Sequence, residues 1–122
     1  MKAVPVLAYK ICFAEEWADA ERAGSYVGSA VDEADGYIHL STADQVAETL
    51  RRYFDGDPDL LLVAVDLSGL AASVRWEAAR SGQLFPHIYG ELPLSAVRAV
   101  EPIPNEAQAR AAFAAQLASP PT

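Results

Sequence analysis

The chain has 122 residues, 52% hydrophobic and 21% charged, which suits one domain with its own core and excludes a disordered chain. Nine basic residues stand against 17 acidic ones, a formal net charge of −8, which excludes generic binding to a phosphate backbone or an anionic membrane. The longest apolar run, Leu60 to Val65, is far below the ~20 residues of a membrane span, and no signal peptide is visible.

Val4 to Ile11 reads as a first strand, rich in β-branched and aromatic residues, with Pro5 near its start. Phe13 to Ala23 has helical spacing (Phe13, Trp17, Ala20), acids near its start, and Gly24 as a C-terminal stop. Ser25 to Ala34 reads as a loop, and Asp35-Gly36 as a turn into a strand, Tyr37 to Leu40 or Ser41. Thr42-Ala-Asp-Gln45 fits a capping box, with Val46, Leu50, Tyr53 and Phe54 at helical spacing behind it. Gly56 and Asp57-Pro58 end that helix.

Asp59 to Leu67 is a strand whose continuous apolar run predicts burial on both faces. Ser68-Gly69 is a turn, and Val74 to Glu77 is open between strand and helix. Ser81-Gly82 breaks the chain. Leu84 to Tyr89 is strand-like, with Pro86 arguing for an edge or an irregular start. Gly90 to Ser95 turns, Val97 to Ile103 is a last strand, and Asn105 caps a helix to Leu117. The Ser119–Thr122 tail is expected to be loose. The expected organisation is one domain, with a core over about 4–103, a C-terminal helix over 104–118 and the tail. The mixed order argues for α+β rather than a doubly wound sheet.

Cys12 is the only cysteine, so an intramolecular disulfide and a thiolate zinc site are excluded. A reducing cytoplasm fits. Cys12 itself reads as a small buried hydrophobe. The Asp32-Glu-Ala-Asp35-Gly36 stretch lacks the alternating ligands of a calcium loop, and its acids read as a solvated turn. No metal site is expected.

Only two histidines exist, His39 and His87. Strand alternation puts Tyr37, His39 and Ser41 on one face, beside the helix start at Thr42. A polar site and a histidine that merely satisfies the fold are both open there. Pro86 and Gly90 fix the neighbourhood of His87, and two converging imidazoles would serve as proton donor and acceptor. On a strand, Arg75 and Glu77 share a face. They make either a surface ion pair or, through Arg75, an anion contact. Arg80 reads as surface.

These pieces combine. Tyr9-Lys10-Ile11, Trp17, Gly24, Asp32 followed by Gly36-Tyr-Ile-His39-Leu-Ser-Thr42-x-x-Gln45, Arg75-Trp-Glu77 and Phe85-Pro-His87-Ile-Tyr89-Gly90-x-Leu92 resemble the bacterial domain-of-unknown-function family nine-five-two. The resemblance runs from about Tyr9 to about Pro102. That family is in turn distantly similar to the ADP-ribosyltransferase-like fold. The resemblance implies a compact α+β domain, with two apposed, mainly antiparallel sheets around a cleft for NAD. It places Leu40-Ser41-Thr42 where that fold runs a Ser-Thr strand into a helix. Tyr9 and Lys10 stand where the transferase pattern has Arg or His. The late segment offers His87, with Glu91 after it and Glu77 before it, where the pattern has a glutamate.

The expected function is a nucleotide- or NAD-related enzyme with a small-molecule ligand. His39, His87 and Ser41 are its catalytic candidates, and Tyr9, Lys10, Thr42, Arg75, Glu77 and Tyr89 its ligand-binding candidates. The alternatives are a non-catalytic small-molecule or protein-binding module and a two-histidine phosphoesterase-like hydrolase. His39-Leu-Ser41 fits one copy of the latter's His-x-Ser/Thr pattern, and His87-Ile-Tyr89 does not fit the second.

Overall fold

The computed structural model describes residues 6–79 and 82–118. The expectations for Pro5, Arg80, Ser81 and the Ser119–Thr122 tail lie outside them.

The first strand, β1 (Leu7–Phe13), runs into helix α1 (Ala14–Ala23). Phe13 is therefore the last strand residue rather than the first helical one. Its N–H is taken by the Glu16 carboxylate at 3.0 Å. Gly24 ends α1 in the left-handed region, at φ 90°. The loop expected over Ser25 to Ala34 is instead a short strand and a helix, β2 (Ser25–Tyr26) and α2 (Ala30–Asp35). Ser29 and Asp32 cap α2 reciprocally: the Ser29 hydroxyl accepts from the Asp32 amide, and the Asp32 carboxylate from the Ser29 amide.

Strand β3 (Ile38–His39) and α3 (Val46–Tyr53) follow, the latter entered through a 3-10 turn, Ala43–Gln45. Gln45 reaches back to the Thr42 amide at 2.9 Å. Strand β4 (Leu60–Asp66) is buried on both faces, as its apolar run requires. A 3-10 turn (Leu67–Leu70) stands where Ser68-Gly69 was expected to turn.

Val74 to Glu77 resolves as a strand, β5 (Val74–Ala78), paired with β6 (Leu84–Ile88). β7 (Leu92–Pro93) and a further 3-10 turn (Leu94–Ala96) occupy the expected turn after Gly90. The chain ends with β8 (Val97–Pro102) and α4 (Ala107–Ala118). Asn105 does not cap α4; its side-chain oxygen takes the Asp59 amide instead.

These elements make an α+β domain with two three-stranded sheets, β1-β4-β8 and β3-β6-β5, and a two-stranded ribbon, β2-β7. Every described strand pair is antiparallel. Pro86 is not on an edge strand, since β6 is the centre of its sheet. Leu40 donates to the Pro86 carbonyl at 3.1 Å, and proline has no N–H to return. The β3 ladder therefore stops at His39, and the missing donor falls beyond the end of the short strand.

Two apolar clusters hold the domain. One gathers Ala8, Cys12, Trp17, Tyr26, Ile38, Leu40, Val63 and Ile88 between the sheets. The other gathers Ile11, Val46, Leu50, Leu60, Leu62 and Ala114 under α3 and α4. Arg110 ties that second layer down: its guanidinium donates to the carbonyls of Pro104, Phe54 and Asp57 at 2.7 to 2.9 Å.

Candidate functional site

The two sheets touch and then part. Tyr9 of β1 exchanges both main-chain hydrogen bonds with Ser41, at 2.7 and 2.8 Å. Antiparallel geometry turns the N–H and C=O of Ile11, two residues on, to the same edge. No described strand meets them there. A cleft of about 560 Å³ opens instead, lined by Tyr9, Lys10, Ile11, Phe13, Asp32, Asp35, His39, Ser41, Thr49, Phe85 and His87 among others.

Alternation along β1 gives the cleft its first charge. Lys10 lies between Ala8 and Cys12 on the face that packs against the first cluster, and it is buried. A buried ammonium needs a partner. Asp32 is that partner, with Oδ2 2.7 Å from the Lys10 Nζ. The acids before Gly36 are thus not all solvated: Asp32 is almost fully buried. Its other oxygen, Oδ1, takes the His39 amide at 3.1 Å and the His39 Nδ1 at 2.6 Å. Burial opposes ionisation of Asp32. The bonds from His39, Lys10 and Ser29 outweigh it and hold the carboxyl far below the ordinary range.

His39 also reaches Asp35, with Nε2 2.9 Å from Oδ2. A carboxylate only accepts, so the ring with two N–H groups is the form that donates to both acids. Across the β3–β6 ladder His39 pairs with His87, and His87 pairs with Arg75 of β5. Their side chains share the face opposite Ile38, Leu40 and Ile88. His87 Nδ1 is 2.7 Å from the Glu77 Oε1, which also accepts from the Tyr89 hydroxyl at 2.7 Å. These two hydrogen bonds hold Glu77 below the usual carboxylate range. The same bond to Glu77 pushes the Tyr89 hydroxyl up. No described residue takes His87 Nε2, which is left for the cleft. The two imidazole centroids stand 5.4 Å apart.

Five of the expected site residues therefore line the cleft: Tyr9, Lys10, His39, Ser41 and His87. Glu77 and Tyr89 stand behind His87. Arg75 makes no surface ion pair at hydrogen-bond distance with Glu77; it lies over the Tyr89 ring, 5.0 Å from its centroid. Thr42 is not in the cleft; its amide serves Gln45. Ser41 is present but committed. Its Oγ is 3.1 Å from the Thr49 hydroxyl, which already donates to the Gln45 carbonyl, so Ser41 is the donor between them. Cys12 is a buried hydrophobe, its thiol pushed up to about 12 by burial. Among the described residues no group of His, Cys, Asp and Glu suits a metal ion. No described helix is long and apolar enough to cross a membrane.

Sequence reasoning missed Asp32, Asp35, Thr49 and Phe85. The signal for Asp32 was the Ser29-x-x-Asp32 spacing, a capping pattern in a stretch read as loop.

Together these features define a small α+β domain whose split sheets bound a cleft lined by two carboxylate-anchored histidines. The model of the family described as protein of unknown function (DUF952) matches residues 11–100, and the chain belongs to that family. It is similar to protein CC0527 from Caulobacter crescentus. The crystal structure of that protein is 40% identical, with TM-score 0.85, covering 93% of this chain and 99% of the other. Its solution NMR structure is 41% identical, with TM-score 0.75, covering 85% and 90%. No curated protein matches the chain.

Proposed function

We propose that the cleft takes a nucleotide of the NAD class, and that His87 and His39 move protons on it. The observation that carries this reading is the pair of imidazoles 5.4 Å apart, each with Nδ1 held by a carboxylate, in the wall of a 560 Å³ cleft. That volume is in the range of small-molecule sites. His87 Nε2 is the proton acceptor, with Glu77 holding the ring in the tautomer that leaves it bare. His39 is the donor, through the Nε2–H now on Asp35.

The nucleotide class is what the sequence's resemblance to the ADP-ribosyltransferase-like fold implies, a resemblance to which the matched family and structures do not extend, and one fit of this chain supports it. The free N–H and C=O of Ile11 match the acceptor and donor of a carboxamide. NAD carries its carboxamide on a cationic aromatic ring, which Phe13 and Glu16 beside Ile11 suit. Pyrophosphate does not suit that end, where Glu16, Asp32, Asp35 and Asp57 stand against Lys10 as the one cation among the described lining residues. Arg75, outside the cleft lining and with no hydrogen-bonded acid among the described residues, would offer it a cation across the ladder from His87. NAD supplies a ring-to-ribose bond already activated toward departure of the ring.

A second reading keeps the ligand and omits the reaction. It is favoured by Glu77, whose Oε1 is spent on His87 and Tyr89 rather than free for a ribose. The partner in both readings is a small molecule, in the reducing cytoplasm that a single buried cysteine suits.

The test is an NMR titration of the two imidazoles with NAD, then with a panel of other nucleotides. Both rings should shift together and saturably with NAD, and His39→Ala should stay folded and lose the response. Imidazoles that ignore every nucleotide would sink the proposal. Analysis of the NAD afterwards separates the readings: a product supports the enzyme, and intact NAD supports the binding module.

A further inference from the structure

We propose that Tyr37 is the positioning residue of this site, and that its ring rather than its hydroxyl sets the angle between the two imidazoles. The inference rests on reading the cleft as an acid–base site. It begins with what the carboxylates leave undone. Each imidazole is held through Nδ1 by one acid, His39 by Asp32 and His87 by Glu77, and His39 Nε2 also meets the exposed Asp35. In-plane bonds fix points on a ring. The rotation about the line through those points is left to what packs on the ring face.

Tyr37 supplies the tilt. Its ring lies flat on His87, with centroids 4.1 Å apart and planes 9° from parallel. It presents an edge arrangement to His39, at 4.7 Å and 72°. A third contact, to Tyr89 at 5.2 Å and 75°, braces the far side. One ring thus touches both histidines, and the 67° between them falls in the range its two contacts allow. Tyr37 and Tyr89 lie just outside β3 and β6, two residues from His39 and His87, and the ring contacts place both on the histidine face.

The backbone of Tyr37 is pinned as well. Gly36 and Tyr37 both donate to the Asp32 carbonyl, at 2.9 and 3.2 Å. Gly36 does so at φ 89°, where a side chain is strained. Asp32 therefore places His39 through its carboxylate and Tyr37 through its carbonyl. The Tyr37 hydroxyl has no hydrogen-bond partner among the described residues, so the structure spends only the ring.

The test compares wild type, Tyr37→Phe and Tyr37→Leu by 15N-edited NMR of the imidazoles, first without ligand and then with NAD. Wild type should show proton–proton cross-relaxation between the Tyr37 and His87 rings. Tyr37→Phe should keep the imidazole signals and the NAD response of wild type. Tyr37→Leu should displace the ring signals of both histidines, leave remote backbone amides in place, and weaken any NAD response on the order of tenfold or more. Three results would overturn the inference. One is wild-type imidazole signals in Tyr37→Leu. Another is Tyr37→Phe behaving like Tyr37→Leu, which would give the role to the hydroxyl. The third, which needs no variant to fold, is no cross-relaxation between the Tyr37 and His87 rings in wild type. The ligand-free spectra decide the positioning role even if NAD binds nothing, so failure of the nucleotide reading stays distinguishable.

Discussion

The two carboxylate–imidazole pairs of the cleft are built inside out with respect to each other. In Asp32–His39 the acid is sealed, 2% exposed, and the imidazole is open at 35%. In Glu77–His87 the imidazole is sealed, at 6%, and the acid is open at 38%. The sealed member reports what each pair is for. Asp32 is where the fold gathers Lys10, Ser29 and His39, so that pair is part of the scaffold. Glu77 orients a ring whose Nε2 no described residue takes, so on the proposed reading that pair would exchange its proton without disturbing the core. One pair is anchored in the core through its acid, and the other is held by an acid that water reaches.

That comparison is broken most severely at Asp32. Asp32→Ala strips the buried Lys10 of its counter-ion and should destabilise the domain by about 3–5 kcal/mol, read by urea unfolding. The same contrast appears in acid. A carboxyl held below its ordinary value stabilises the fold above that ordinary value. This stabilisation is lost as pH falls through the depressed one. Stability measured below about pH 4 should therefore decline, and Asp32→Asn should flatten that decline.

A smaller effect is expected at Gly28. A Cβ there would stand 2.7 Å from the Asp32 Cβ, on a backbone at φ 113°. Gly28→Ala should cost about 1–3 kcal/mol and move the His39 ring signals more than those of His87. Equal movement of both would show the two pairs to be one unit. Glu77→Gln should affect stability least, because its carboxylate is open to water. Unfolding should stay near wild type, while the His87 ring signals and any ligand response change. A marked loss of stability would make Glu77 scaffold too, and the contrast would fail.

Much of this was legible locally. Alternation along Tyr37-Ile38-His39 already separates the cleft face from the core face. The apolar run of β4 predicts its burial, and Gly24 ends α1 where expected. Asp32 was hidden because its partners, Lys10 and His39, are distant in the chain or across a turn, and an acid before Gly36 looks solvated. Pro86 misled for a related reason. The rule that demotes proline strands assumes a neighbour long enough to need the missing donor, and β3 ends before it does. The split between Tyr9 and Ser41 is a long-range pairing, which no local pattern encodes.

That single Tyr9–Ser41 bridge acts like the stop on a zip fastener. At it the two sheets meet, and ahead of it they are separate. Among main-chain contacts the gape of the cleft is thus held by two hydrogen bonds, each worth on the order of 1 kcal/mol net, and not by a whole ladder. A guest slightly too large for the resting cleft would have to undo one bridge and leave both sheets intact.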